Sequence, residues 1–189
     1  MEPIFLRENW MKAGFAERDI TPKLPCAMEG YVARTGPATG VLDPIMARAC
    51  VLEDRLAIVV LDWCFVTEDF VRRVRRRLKL PHVLIATTHT HSGPKIHPVT
   101  SKIVGLVEEA RRSAVETKVC FGTARVRGVG ANRRLQGGAF DPEVRVLVFG
   151  KNVVANYGCH PTVLGAANRK LSGDFFGLAA KGLKGITML

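Results

Sequence analysis

Two apolar runs of strand length, separated by an amphipathic segment, occupy the middle of the chain. Residues 56–63 (LAIVVLDW) are apolar along their length, which is typical of a strand covered on both faces of a sheet. Residues 82–88 (HVLIATT) predict a second buried strand. Segments 45–62 and 143–157 look like hairpins and argue against a purely parallel sheet. The sequence therefore predicts an α/β domain in which helices flank a mixed β-sheet.

Strands and helices are predicted to alternate within a single α/β domain that spans residues 1–189. A long loop with prolines and glycines follows the first strand, and such loops often lie at functional edges. The first hairpin is predicted to turn at Asp54–Arg55. The other predicted strands are 12–20, 45–53, 118–127, 143–149 and 153–157, and helices are predicted at 99–117 and 175–184. The inward stripe of the 99–117 helix is predicted to be Val99, Ile103, Val107, Ala110 and Ala114.

The last residues, 185–189 (GITML), have the pattern of the opening of another buried strand. An apolar strand at the edge of a sheet invites pairing with another chain. We therefore expect an incomplete domain that ends at an unfinished strand. We also expect homo-oligomerisation through this C-terminal edge strand.

Composition excludes several classes of protein. With 47% hydrophobic and 24% charged residues, the 189-residue chain has the make-up of a soluble globular domain rather than a disordered one. No stretch approaches the roughly 20 apolar residues of a transmembrane helix, and the charged start lacks the apolar core of a signal peptide. A cytoplasmic location is therefore expected.

An excess of basic residues raises the question of a nucleic-acid partner, since 28 Lys and Arg oppose 17 Asp and Glu for a net charge of +11. The densest group lies in residues 67–80 (TEDFVRRVRRRLKL), where Phe70 and Val74 recur at helical spacing. The arginines then occupy the opposite, solvated face, and Thr67 with the two acids after it predicts the helix start. Because neither interleaved aromatic residues nor a known binding motif accompanies them, a nucleic-acid partner is not favoured.

The five cysteines are odd in number, widely spaced and embedded in apolar runs, without a CxxC pair. This pattern argues against a disulfide framework and against a structural zinc cluster. Buried free thiols are therefore the preferred interpretation. The residues are Cys26, Cys50, Cys64, Cys120 and Cys159.

Histidines at the ends of two predicted strands indicate a metal site. His89 and His91 follow the 82–88 strand, and residues two apart in an extended segment point the same way. A second strand, within VVANYGCH, delivers His160 at its end. Two strand ends of one sheet can converge on one ion, and zinc prefers histidine nitrogen and carboxylate oxygen. The third ligand stays open between His91, Asp174 and a residue beyond position 189, and Asp174 also fits a helix N-cap.

Several motifs in combination resemble the neutral, non-lysosomal ceramidase N-terminal domain family, in the family's order and over nearly the whole chain. They are AGFAERDITP, Gly30-Tyr31, DPIMARACVLED, THTHSGP, the Asn132–Arg134 loop, DPEVRVLVF, NYGCHPT and SGDFFG. The resemblance implies a zinc-dependent amidase fold, which hydrolyses the N-acyl bond of ceramide in the characterised members. It also implies that His89 and His160 are zinc ligands and that His91 lies beside the metal.

The same resemblance implies that this chain is a truncated relative. The family's other two zinc ligands, a Glu and a Tyr, and its serine nucleophile have no counterpart in these 189 residues. We therefore expect the chain by itself to be inactive or incomplete as a ceramidase.

In the predicted mechanism, zinc polarises the amide carbonyl and lowers the pKa of a bound water from about 15.7 to near 7. His91 and Asp174 are the candidate catalytic residues, with His91 as a proton shuttle or as a hydrogen-bond donor to the oxyanion. Arg133 or Arg134 is a candidate anchor for a polar headgroup, and a solvated loop arginine is the alternative. The expected substrate is a small-molecule or lipid amide.

Two alternatives remain. A metal-dependent hydrolase of a small amide or ester would keep the fold and the metal, and the short chain favours it. A non-catalytic domain would instead bind acidic partners through its basic surface. Loss of metal would favour the non-catalytic domain, and tight retention of zinc would count against it.

Overall fold

Ten strands and three helices make up the described part of the chain, residues 9–183 and 185–188 of a computed structural model. The helices α1 to α3 are Glu68–Arg77, Thr100–Arg112 and Asp174–Gly182. The strands β1 to β10 are Asn9–Asp19, Gly40–Val41, Met46–Leu52, Leu56–Leu61, His82–Thr87, Val115–Arg125, Glu143–Phe149, Asn152–Tyr157, Lys170–Leu171 and Thr187–Met188.

Eight of these strands form one sheet in the order β10, β8, β7, β6, β1, β3, β4, β5. The β4–β5 and β8–β10 pairs are parallel, and the other five pairs are antiparallel. The prediction of an α/β domain with a mixed sheet is therefore confirmed. A separate parallel pair, β2 with β9, was not predicted because two residues are too few to show a pattern.

Both predicted hairpins are present, as β3–β4 and β7–β8. The first turns at Glu53 and Asp54, one residue earlier than predicted, and their φ angles of 51° and 53° are left-handed. Two consecutive left-handed residues are typical of the I′ turn, whose twist matches that of the strands it joins. Gly150 adopts a left-handed φ of 59° in the second hairpin, at little cost because it has no Cβ.

Helix α1 begins where the sequence predicts. The Thr67 hydroxyl accepts a hydrogen bond from the amide of Phe70 and caps the helix. Phe70 and Val74 are buried, and the arginines lie on the exposed face. Arg72 forms an ion pair of 2.7 Å with Glu68 one turn earlier. The prediction of a solvated arginine face is therefore confirmed.

Helix α2 ends at Arg112 and is shorter than the predicted 99–117 segment. Ala114 lies beyond the helix, and residues 115–117 open β6, where they pair with β1. Val115 and Thr117 are β-branched, so pairing with β1 overrides the local helical pattern. The other residues of the predicted inward stripe are buried, namely Val99, Ile103, Val107 and Ala110.

The two faces of the sheet contribute to two different hydrophobic clusters. Val59 of β4 packs in the larger cluster, which includes buried residues of α1 and α2. Val60, the next residue, belongs to a second cluster, so both faces of β4 are covered as predicted. The second cluster joins Cys50 of β3 to Met188 of β10, although four strands separate β3 from β10 in the sheet. The sheet is therefore curled, and its second cluster lies on the concave side.

Strand β5 is an edge strand rather than the fully buried strand that the sequence predicts. Val83 is buried against the helices, but Leu84 on the other face is 53% exposed. The apolar run therefore predicted the strand correctly, but the prediction that the strand is buried on both faces is wrong. The exposed face of β5 borders a cavity that is lined in part by Ala86.

The last elements lie close to their predicted positions. Helix α3 covers 174–182, and residue 184 of the predicted helix and residue 189 of the predicted strand lie outside the described residues. Strand β10 pairs in parallel with β8 at the edge of the sheet. Pairing of that edge with a second chain stays a prediction. None of the described helices combines the length and the hydropathy needed to cross a membrane.

Candidate metal centre

Three histidines from two loops come together at one end of the sheet. His89 and His91 follow β5, and His160 follows β8. Their ring centroids lie 4.5 to 5.1 Å apart. Nε2 of His91 is 2.8 Å from Nε2 of His160 and 3.4 Å from Nε2 of His89. The structure therefore brings together the three histidines that the sequence singled out.

His89 is held in one tautomer by the loop after β4. Its Nδ1 lies 2.5 Å from the carbonyl oxygen of Cys64, which can only accept, so Nδ1–H donates. The lone pair of Nε2 then faces His91. A carbonyl that fixes the ring nitrogen opposite the ligand atom is a common support for metal-binding histidines. His89 also has a left-handed φ of 61°, an unusual backbone conformation of the kind that clusters at functional sites.

His91 is anchored by the long loop after β1, which was predicted to lie at a functional edge and here lies beside the histidine cluster. Arg34 donates a hydrogen bond of 2.7 Å from Nη2 to the His91 carbonyl, and the rings of Tyr31 and His91 pack edge to face with centroids 4.9 Å apart. Gly30 has a φ of 107°, and a Cβ there would lie 2.6 Å from Cα of His91. The backbone amide of His91 donates to the carbonyl of Pro161, which joins the two histidine loops.

The electrostatics of the cluster favour neutral imidazoles. Burial, and then the neighbouring His160 and His89, lower the pKa of His91 from 6.5 to about 4. Burial and the charge of Arg133 lower the pKa of His160. Both rings are therefore uncharged at neutral pH, and each has one unprotonated nitrogen whose lone pair can accept a hydrogen bond or bind a cation.

The donor set fits zinc. One ligand atom each from Cys64, His89 and His91 lie within 4.8 Å of one another, and His160 contacts His91. Nδ1 of His91 is buried without a hydrogen-bond partner among the described residues. Imidazole nitrogen and cysteine sulfur are the ligands that zinc takes most often in proteins. The structure therefore contains a possible metal site.

Asp174 lies at the start of α3. It was considered as a metal ligand or catalytic residue and, alternatively, as the N-cap of this helix. Its carboxylate accepts hydrogen bonds from the amides of Val163 and Leu164, at 3.4 and 3.3 Å, and from Phe175 at 2.7 Å. Gly173 is the N-cap and Asp174 is the first helical residue. The carboxylate thus ties the helix to the loop that carries His160, which makes it a positioning residue in this geometry.

The two candidate substrate-binding arginines differ in their surroundings. Arg133 is exposed, and its charge contributes to the lowered pKa of both His91 and His160. The amide of Arg134 donates to the Asn132 side chain at 3.0 Å, so this residue helps to form a turn. Of the two, Arg133 is the one that the structure brings near the histidines.

A cavity of about 510 Å³ opens beside the histidines, between the ends of the curled sheet. His89 and His160 lie on its wall. Its remaining lining is largely apolar and includes Ile58, Val60, Ala86, Val154 and Phe176. This combination of a nitrogen cluster and an apolar wall can hold a substrate with a polar, reactive end and an apolar remainder.

Sequence analysis missed two residues of the site. Cys64 was interpreted only as a buried thiol. It follows β4, and His89 follows β5, the parallel neighbour of β4. Because the carboxyl ends of neighbouring parallel strands lie at the same edge of a sheet, this position was the signal that could have placed Cys64 near His89. Arg34 carried no sequence signal, because its role consists of hydrogen bonds to the carbonyls of Glu29, His91 and Asn168.

Two solved ceramidases share this fold. Neutral ceramidase from Pseudomonas aeruginosa matches with a TM-score of 0.79 and 24% sequence identity over 90% of this chain. A ceramidase complexed with C2 matches with a TM-score of 0.76 and 23% identity, also over 90%. The chain spans about a third of their length, 35% and 34% respectively. No protein-family model and no curated protein sequence matches it. The resemblance to ceramidases is therefore confirmed at the level of the fold.

Proposed function

We propose that the chain is the metal-binding part of a ceramidase-like, zinc-dependent hydrolase of amide bonds. The observation that carries the proposal is the convergence of three imidazole rings, with Nε2 atoms 2.8 and 3.4 Å apart. Ligand nitrogens around a tetrahedral zinc ion, each about 2.0–2.1 Å from it, are separated by about 3.3 Å. The 3.4 Å between Nε2 of His89 and Nε2 of His91 is close to that value, and the 2.8 Å between His91 and His160 is a hydrogen-bond distance. The rings of the two proposed ligands, His89 and His160, have centroids 4.8 Å apart.

His89 and His160 are the residues that would hold the ion, as the resemblance implies. Zinc bound there would polarise the substrate carbonyl and supply a water of lowered pKa, near 7. His89 keeps its ligand nitrogen unprotonated because Nδ1 donates to the Cys64 carbonyl. Asp174 keeps the His160 loop in place through the amides of Val163 and Leu164.

His91 has two candidate roles, and its pKa of about 4 favours one of them. A group this weakly basic is a poor proton acceptor near pH 7. Neutral imidazole still carries one N–H, which can donate a hydrogen bond to the oxygen that becomes negative during amide hydrolysis. His91 is therefore proposed as an oxyanion donor rather than a proton shuttle.

The proposed substrate is a lipid amide. The cavity beside the histidines holds about 510 Å³ and its wall is largely apolar, which suits an acyl chain. Arg133 is exposed near the histidines and would meet a polar headgroup at the opening. A hydrolase of small amides or esters would gain little from this apolar wall. Rates on amides of short and long acyl chains therefore distinguish the two substrate classes.

Metal content tests the proposal. Tag-free protein is incubated with zinc, dialysed and analysed by plasma mass spectrometry, as wild type and as His89→Ala, His160→Ala and His82→Ala. We expect about one zinc per chain, lost in the first two variants. His82 lies at the exposed start of β5, so its variant serves as the matched control and should keep the metal. Wild-type protein without zinc, or variants that all retain it, would overturn the proposal.

A further inference from the structure

Two side chains of the long loop after β1 contact both of the loops that carry the histidines. Arg34 donates a hydrogen bond of 2.7 Å to the carbonyl of His91, which follows β5. The hydroxyl of Tyr31 donates one of 3.2 Å to the carbonyl of Thr162, two residues after His160. The guanidinium carbon of Arg34 lies 5.0 Å from the centre of the Tyr31 ring, so the two side chains also pack against each other.

We propose that Tyr31 and Arg34 form a clamp that holds the two histidine loops at the separation required for metal binding. This role rests on the proposed zinc site and extends it. Both side chains act through the backbone of the histidine loops rather than by contact with the metal, so both are positioning residues. The Gly30-Tyr31 motif contributed to the resemblance to ceramidases, but no role of Tyr31 or Arg34 followed from it.

Hydrogen bonding within the sheet does not set the separation of the histidine loops. Strands β5 and β8 are not neighbours, since five strands lie between them in the sheet. The backbone amide of His91 donates to the carbonyl of Pro161 across the gap, but at 3.3 Å this hydrogen bond is long. Ligand atoms must be held within about 0.5 Å of the productive geometry for a site to work well. Additional contacts between the loops are therefore needed, and the clamp supplies them.

Arg34 uses the fork of its guanidinium to fix the position of the His91 backbone. Its three nitrogens each donate to a backbone carbonyl, of Asn168 at 3.0 Å, Glu29 at 2.9 Å and His91 at 2.7 Å. The side chain of Asn168 in turn donates to the hydroxyl of Ser92 at 3.1 Å, which ties the residue after His91 to the same network. A planar guanidinium fixes three directions at once, whereas a lysine ammonium is a compact point charge on a flexible stem. Arg34→Lys therefore keeps the charge and loses the fork.

Tyr31 contacts the two histidine loops through different parts of its side chain. Its ring packs edge to face with that of His91, and its hydroxyl reaches Thr162. Tyr31→Phe keeps the ring and removes the oxygen atom that joins it to the His160 loop. This variant therefore breaks the link between the loops with the least disturbance of packing.

Zinc affinity, measured by competition with a chelator of known affinity, tests the clamp. We expect the dissociation constant for zinc to rise about tenfold in Tyr31→Phe and in Arg34→Lys, as when a partner that orients a metal ligand is removed. Arg169→Lys is the matched control, because Nε of Arg169 donates to the carbonyl of Pro37 in the same loop, at 3.0 Å, and not to a histidine loop. The control should bind zinc within about twofold of wild type.

Cobalt spectra distinguish positioning from a loss of stability. The visible bands of bound Co²⁺ depend on the arrangement of the ligands, so they should shift in Tyr31→Phe and stay unchanged in Arg169→Lys. A variant that is only less stable would give the wild-type bands at lower intensity, and that result would overturn the clamp.

Wild-type zinc affinity and cobalt bands in Tyr31→Phe and Arg34→Lys would overturn the clamp and leave the proposed zinc site intact. An equal loss of affinity in Arg169→Lys would assign the effect to the loop as a whole and would also overturn the clamp. Wild-type protein that binds neither zinc nor cobalt would overturn the zinc site together with the clamp. If Arg34→Lys does not fold, Tyr31→Phe alone is decisive, because it removes a single oxygen atom.

Discussion

Removing the carboxylate of Asp62 is expected to destabilise the fold strongly. Asp62 is completely buried, and each carboxylate oxygen lies 3.2 Å from Nη1 of Arg48, which is 5% exposed. Oδ2 also accepts a hydrogen bond of 3.0 Å from the amide of Met46. The variant Asp62→Ala would leave a buried guanidinium and a half-buried amide without these acceptors.

The magnitude follows from these contacts. Breaking a buried ion pair by removal of one partner costs about 3–5 kcal/mol, and the amide left without its acceptor costs about 1 kcal/mol more. Glu17 lies 3.8 Å from Nε of Arg48 and is 46% exposed, so it offsets a small part of the loss. We therefore expect Asp62→Ala to lower the free energy of unfolding by about 4 kcal/mol.

Urea denaturation followed by circular dichroism measures this loss. The control is Arg48→Met combined with Asp62→Leu, because apolar replacement of a whole buried pair is often neutral or stabilising. The double variant should lie within about 1 kcal/mol of wild type. A loss below about 1 kcal/mol in Asp62→Ala, or a double variant as unstable as the single one, would refute the reasoning.

Three further predictions concern the site and the core. The pKa of His91 is lowered from 6.5 to about 4, so as the pH falls the unfolded chain binds a proton at this residue before the folded protein does. The metal-free protein should therefore be most stable above pH 6.5 and should lose stability toward pH 4. Urea titrations in which stability rises toward acid pH would contradict this prediction. Gly30→Ala should weaken zinc binding in a calorimetric titration, because its Cβ would meet His91, whereas Gly137→Ala, also left-handed but with open space around it, should bind zinc normally. Ile103→Ala, at a fully buried position, should lower the free energy of unfolding by about 3 kcal/mol in urea denaturation. Leu178→Ala, at a position that is 72% exposed, should lower it by less than about 0.5 kcal/mol. Equal losses in the two variants would be inconsistent with the described core.

Local patterns were enough to predict most of the elements. Thr67 and the spacing of Phe70 and Val74 located α1, since a cap and a helical period are both encoded within one turn or two. The same reasoning extended α2 too far, because the pairing of Val115 with Ala13 of β1 depends on a segment about a hundred residues away. Local sequence does not carry that information.

In the candidate site, too, some features follow from local sequence and others depend on contacts between distant segments. Strand ends carrying His89 and His160 were visible in the sequence, and so was the expectation that they converge. The curl of the sheet, which places β5 near β8, is a property of packing on the concave side and has no signature in either strand. Cys64 reaches the site because β4 is the parallel neighbour of β5, and Arg34 reaches it through hydrogen bonds to backbone carbonyls of distant loops.

The curl also bears on how a bound metal ion would stabilise the fold. His91 and His160 are 69 residues apart and follow strands near opposite ends of the sheet, so the contact between their rings depends on the curl of the whole sheet. A metal ion held by His89 and His160, from the same two loops, would act as a cross-link, and closing a loop of about 70 residues removes roughly 4 kcal/mol of chain entropy from the unfolded state in the simplest treatment. An ion that binds only the folded arrangement of the two loops would stabilise the curled sheet as a whole by mass action, and not only the loops that hold it.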